Sequence, residues 1–139
     1  MGSIDTKKMV VAGLVAGVVF TLIDVASGAL LFGGPMEAAF QARNLDMAAL
    51  DGAIPWLIGS DMFFALMAAF VYAAIRPRFG AGPKTGFIAG LVVWAIGSCT
   101  AMTFSVMGFM PLSLTLAMTA VLLVAFLIVG YIVDRLYSE

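Results

Sequence analysis

A chain of 139 residues that is 63% hydrophobic and 11% charged has room for one domain, and far less charge than the roughly one quarter carried by soluble domains. Its net charge of -1 supplies no field for nucleic acid. Histidine is absent and Cys99 is the single cysteine, which excludes histidine-ligated haem, structural zinc, iron–sulfur clusters, intramolecular disulfides and most nucleophile–histidine catalysis. The expected class is a lipid-embedded, non-enzymatic protein with no metal and no cofactor.

Taken in order, Met1 to Lys8 form a short polar head whose MGSIDT fits the pattern for myristoylation at Gly2. A plain terminus is the preferred reading, because one acyl chain adds little to a chain that already spans the bilayer. Residues 9–32 are too long an apolar run for a signal peptide and read as the first transmembrane helix. Gly13, Gly17, Thr21, Asp24 and Gly28 recur at helical spacing and form one stripe of small and polar residues, the kind of face that lets helices approach closely in lipid.

Gly33-Gly34-Pro35 reads as the end of that helix. The stretch 33–53 is then a loop, with PMEAAFQARNLDMAALDG as either an interfacial amphipathic helix or a plain surface segment. The second transmembrane helix is expected at 54–75, stopped by Arg76-Pro77-Arg78, with Asp61, Ala65, Ala68 and Tyr72 on one face. The third is expected at 86–107, with Gly86, Gly90, Gly97 and Ala101 in phase, and the fourth at 112–133, ending in Asp134-Arg135.

The fold class is therefore an all-α integral membrane protein, a bundle of four transmembrane helices in a single domain. Lys7, Lys8, Arg76, Arg78, Lys84 and Arg135 fall on one side of it, so both termini are expected in the cytoplasm. GLVAGVVF beside GFIAGLVVW aligns Gly13 with Gly86 and Gly17 with Gly90, so the two halves read as repeated helical hairpins that use these four glycines for helix packing. Faces of this kind also leave surface for a homo-oligomer or a partner membrane protein.

Two residues resist this bland description. Asp24 and Asp61 each interrupt an apolar run, at a cost of roughly 2.5 to 3.5 kcal/mol apiece on insertion scales. Counted from the helix ends, Asp24, Asp61, Thr100 and Thr119 all lie about 10 to 12 Å below the non-cytoplasmic edge, with Ser27 and Ser60 beside the aspartates. Two carboxylates at one depth without a counter-charge call for a shared proton, a bound cation or water. The proton- or cation-binding set is thus Asp24, Asp61, Ser27, Ser60, Thr100 and Thr119. Two other readings stay open: hydroxyl-bonded aspartates with a purely structural role, and polar contacts to partner chains.

Other features are read conservatively. Met102, three residues from Cys99, and Met107 and Met110 serve as flexible packing in preference to a Cu(I) site. Cys99 is expected to be small and buried, and Trp94 to be core packing or the wall of a pocket. The GLVAG start, the YAAIRPRFG end of the second helix and GPKTGFIAGL together resemble small bacterial inner-membrane proteins with four helices and no assigned activity. That resemblance implies a multi-pass protein of the bacterial inner membrane. Small multidrug-resistance transporters are similar in size and in a helix 1 carboxylate, but theirs is a glutamate with no second acid to match Asp61, and no residue is transferred from them.

Overall fold

The computed structural model describes residues 3–138, and among these it is entirely helical, with four helices long and apolar enough to cross a membrane. These are α1 (Thr6–Ser27), α3 (Ile54–Phe79), α4 (Pro83–Val106) and α5 (Leu112–Ser138), with a short α2 (Gly33–Gln41) between the first two. The myristoylation motif at Gly2 lies outside the described residues. Consecutive long helices run antiparallel, so the first and last turns of the bundle meet: the Asp5 backbone N–H donates to the Tyr137 hydroxyl at 3.0 Å. We call this the near end, and the opposite one the far end.

Each long helix extends past its expected bounds at its near end, for identifiable reasons. α1 begins at Thr6 because the Asp5 carboxylate caps it, accepting from the Lys8 N–H at 3.0 Å. Gly33-Gly34-Pro35 does not stop the chain. Pro35 lacks the N–H that would bond back along the helix, and the preceding turn, Gly28–Phe32, widens into a π-helical turn, so helix continues into α2. The uninterrupted stretch Thr6–Gln41 is about 54 Å long at 1.5 Å per residue, well beyond a hydrocarbon core of about 30 Å.

The expected loop is mostly ordered helix. After α2, the 3₁₀ turns of Met47–Ala53 run directly into α3, their start capped by Asp46, which accepts from the Ala48 N–H at 2.9 Å. Pro77 sits inside the last turn of α3 without ending it. The stop falls at Gly80, whose φ of 84° closes the helix as its N–H bonds to Arg76 O at 2.9 Å. α4 opens with Pro83 at its first turn, where the missing N–H costs nothing.

The near half of the bundle is welded by glycine. A Cβ on Gly86 or Gly90 would land on the backbone carbonyls of Gly130 and Phe126, and one on Gly130 would strike Gly86, so α4 and α5 touch main chain to main chain. Gly13 and Gly17 accept Leu66 and Met62 of α3 in the same way, through side chains. The aligned glycine pairs thus serve the same purpose, each within its own hairpin. Alanines fill the rest: Ala12, Ala16, Ala65, Ala68, Ala69, Ala73, Ala89 and Ala125 are all buried.

The far half is looser. In α4 the buried residues end at Val93, and in α1 at Phe20. There the bundle is held by a small satellite of Phe32, Ala39 and Leu114, where α2 lies over the start of α5. Arg43 clasps the turn between α4 and α5: Nε and Nη2 donate to Gly108 O at 3.0 and 2.5 Å, and Nη1 to Ala39 O at 3.0 Å.

Candidate functional site

Where the far half opens, the four long helices enclose a cavity of about 500 Å³. α1 contributes Phe20 and Asp24, α3 contributes Leu57, Asp61 and Phe64, α4 one face from Trp94 through Gly97 and Thr100 to Phe104, and α5 Thr119, Leu122 and Phe126. Each position follows from the local sequence. Asp24 continues the Gly13–Gly17–Thr21 stripe beyond the close contact with α3, and Asp61 begins the Ala65–Ala68–Tyr72 face that is buried throughout.

Four of the six expected binding residues, Asp24, Asp61, Thr100 and Thr119, line this one cavity. Ser27 and Ser60 do not; their hydroxyls turn back onto their own helices, donating to Asp24 O at 3.0 Å and to Trp56 O at 2.9 Å. The threonines also spend their protons locally. Thr100 Oγ1 donates to Ile96 O at 3.3 Å, and Thr119 Oγ1 is shared between Thr115 O at 2.9 Å and Leu116 O at 3.0 Å, which leaves only their acceptor lone pairs for the cavity.

The aspartates are offset along the bundle. Gly13 packs at Leu66 and Gly17 at Met62, a register that sets Asp61 opposite Val18. Asp24 then stands about 9 Å nearer the far end. Their ends of the apolar runs match, but the glycine contacts, rather than the ends, fix how the helices slide. The two carboxylates still act on one another electrostatically, and the Thr21 hydroxyl, in the intervening turn, lies within reach of Asp61.

Asp61 is 8% exposed. The Thr21 hydroxyl is buried and in no hydrogen bond of normal geometry, and the Asp61 carboxylate is the acceptor within its reach. Paired polar groups are the rule in protein interiors, so a buried carboxylate with no cationic side chain beside it, approached only loosely by a hydroxyl, marks a place for a partner the polypeptide does not supply.

Trp94 proves to be a wall of this cavity. Its indole N–H donates to Thr119 O at 2.8 Å, which ties α4 to α5 at mid-depth. The rings of Phe20, Phe64 and Phe126 form a second wall, with Phe126 centred 4.7 Å from Phe20 and 6.3 Å from Phe64. No lysine or arginine lines the space. Cys99, expected to be buried, is exposed on the outward side of α4, because the far half of that helix has no neighbour there.

A third carboxylate was not anticipated in the interior. Asp134, read as a helix-ending residue, is buried in the near half, where it accepts from the Tyr72 hydroxyl at 2.5 Å and from the Gly82 N–H at 2.9 Å. The signal available in the sequence was Tyr72 itself, a phenol on an otherwise small-residue face, which needs a buried acceptor.

Among the described residues, no group of three or more His, Cys, Asp or Glu side chains is placed to hold a metal ion. Compared with protein-family models, with curated proteins and with solved structures, the chain matches none. Fold and composition define an all-helical bundle with four helices long and apolar enough to span a membrane, which suggests a multi-pass membrane protein, and a cavity in its far half bears two carboxylates.

Proposed function

We propose that this protein is a small proton- or cation-dependent transporter or channel of the bacterial inner membrane, not an enzyme, with both termini in the cytoplasm and Asp24 and Asp61 as its ion-binding groups. The observation that carries the reading is that both carboxylates open onto one cavity in which no cationic side chain balances them. Intramembrane acids of this kind belong to ion and substrate pathways by default. The tight near half and the splayed far half support a site open first to the non-cytoplasmic side.

The experiment is flux in proteoliposomes. Wild-type protein is expected to dissipate an imposed pH or monovalent-cation gradient, and the Asp24→Asn, Asp61→Asn double variant to insert normally and lose that flux. If wild-type protein moves nothing under any gradient, the transport reading falls. The competing role, a non-catalytic subunit that assembles with copies of itself or with a partner membrane protein, draws on the apolar far half of α4, where Ile96, Phe104 and Val106 are all more than half exposed. Co-purification of a defined assembly without flux would favour it.

A further inference from the structure

We infer that the cavity between Asp24, Asp61 and Trp94 is a binding site for a lipophilic organic cation, an aryl-bearing monovalent ion that enters from the apolar phase. The inference rests on reading the aspartate cavity as the functional site and adds the class of molecule it takes.

Size is the first argument. At about 500 Å³ the space lies within the range of about 300 to 1,000 Å³ typical of small-molecule sites, and is far too large for a proton or a bare ion alone. The chemistry of the wall is the second. A small hard cation would need about six oxygen ligands around one point, yet the cavity's side-chain oxygens, on Asp24, Asp61, Ser98, Thr100 and Thr119, are spread over four helices, with the two aspartates about 9 Å apart along the bundle. Ordered water needs two to four polar partners per molecule, and most of this wall is ring and hydrocarbon. Such a lining suits an apolar body.

Charge selects among apolar ligands. Asp61 is more than nine-tenths buried and opens into the space, where the Thr21 hydroxyl is within reach of it and no cationic side chain balances it. A neutral guest would leave Asp61 as it is, and an anion would be repelled by both carboxylates. A diffuse organic cation would balance the charge at one end and lie against the faces of Phe20, Phe64, Trp94 and Phe126 at the other, where ring quadrupoles attract positive charge. Access fits the same ligand: Leu57, Ile96 and Phe104 line the cavity and are themselves exposed, so its mouth lies on the apolar flank of the bundle.

The test uses the full chain in detergent with tetraphenylphosphonium as probe, and tetraphenylborate as a control of the same shape and opposite charge. Only Trp56 and Trp94 are tryptophans, so a Trp56→Phe background leaves the cavity-wall residue as sole fluorescent reporter, checked by equilibrium dialysis. Saturable one-site binding of the phosphonium with a change in Trp94 emission is expected. Affinity should fall at least tenfold in Asp61→Asn and in Asp24→Asn. It should fall similarly in Gly97→Leu, which fills the cavity from a position with no atom within 4 Å of an added Cβ and keeps both acids.

Borate binding equal to phosphonium, or phosphonium binding unchanged in both aspartate variants, would overturn the assignment. Proton or sodium flux without phosphonium binding would remove the substrate class and leave the transport reading standing. Phosphonium binding that follows this pattern without any flux would do the reverse.

Discussion

The hydroxyl of Tyr72, 0% exposed, donates to the carboxylate of Asp134, 3% exposed, at 2.5 Å, joining α3 to α5 across the near half of the bundle. The same carboxylate takes the Gly82 N–H, so one side chain fastens two helices and the turn that follows α3. Hydrogen bonds to charged groups are worth about 1.5 to 3 kcal/mol. Tyr72→Phe should therefore lower the midpoint of thermal unfolding in detergent, followed by circular dichroism, by a corresponding amount. Asp134→Asn keeps an acceptor and should cost less; equal midpoints for wild type and Tyr72→Phe would remove this contact from the account of stability.

Glycines on one helix should differ in kind. An added methyl at Gly90 meets the carbonyl of Phe126, whereas one at Gly97 meets nothing within 4 Å. Overpacking of a close contact costs about 1 to 3 kcal/mol. Gly90→Ala should destabilise by that amount, and Gly97→Ala should be neutral or gain up to about 1 kcal/mol from helix propensity. Unfolding midpoints of the two variants, measured side by side, check the contrast.

Arg43 provides a local effect without a global one. Removing its bonds to Gly108 O and Ala39 O frees the far-end turn but touches none of the near-half core. Arg43→Ala is expected to raise amide hydrogen exchange in residues 33–41 and 107–110, while the global midpoint moves by less than about 1 kcal/mol, as befits an exposed contact. A large drop in the midpoint would mean that the clasp carries far more of the fold than its exposure implies.

Pro35 is the cause assigned to the π-helical turn, and that too can be checked. Pro35→Ala restores the missing N–H and should return Gly28–Phe32 to a regular α-helical turn. Because regular winding turns α2 about its own axis, spin labels at Glu37 and Ser113 should change their separation. An unaltered distance distribution would place the origin of the wide turn elsewhere.

The elements visible in the sequence are those written in hydropathy and phase. Four apolar runs became four spanning-length helices, and the small faces at Gly13, Gly17, Gly86 and Gly90 became the close contacts. Asp24, Asp61, Thr100 and Thr119 converge because helical phase and depth are both countable. What escaped was set by partners rather than by pattern. The offset of Asp24 from Asp61 depends on where Gly17 meets Met62, and Ser27 and Ser60 had nearer acceptors in their own backbone. Asp134 looked like punctuation until Tyr72 stood opposite it. The helix through Pro35 required a widened turn that residue identity alone does not announce.

Main-chain contact at Gly86 and Gly130 has a mechanical consequence. Helices locked carbonyl against α-carbon at one end cannot part there, so any widening of the molecule is a pivot whose displacement grows with distance from that lock. Phe104 lies 14 residues beyond Gly90, a lever of about 21 Å, and a tilt of roughly 10° would carry it outward by about 4 Å. Such a swing would strain the Arg43 strap while leaving the alanine-filled half at rest. The small residues that join these helices thereby also determine where they can move.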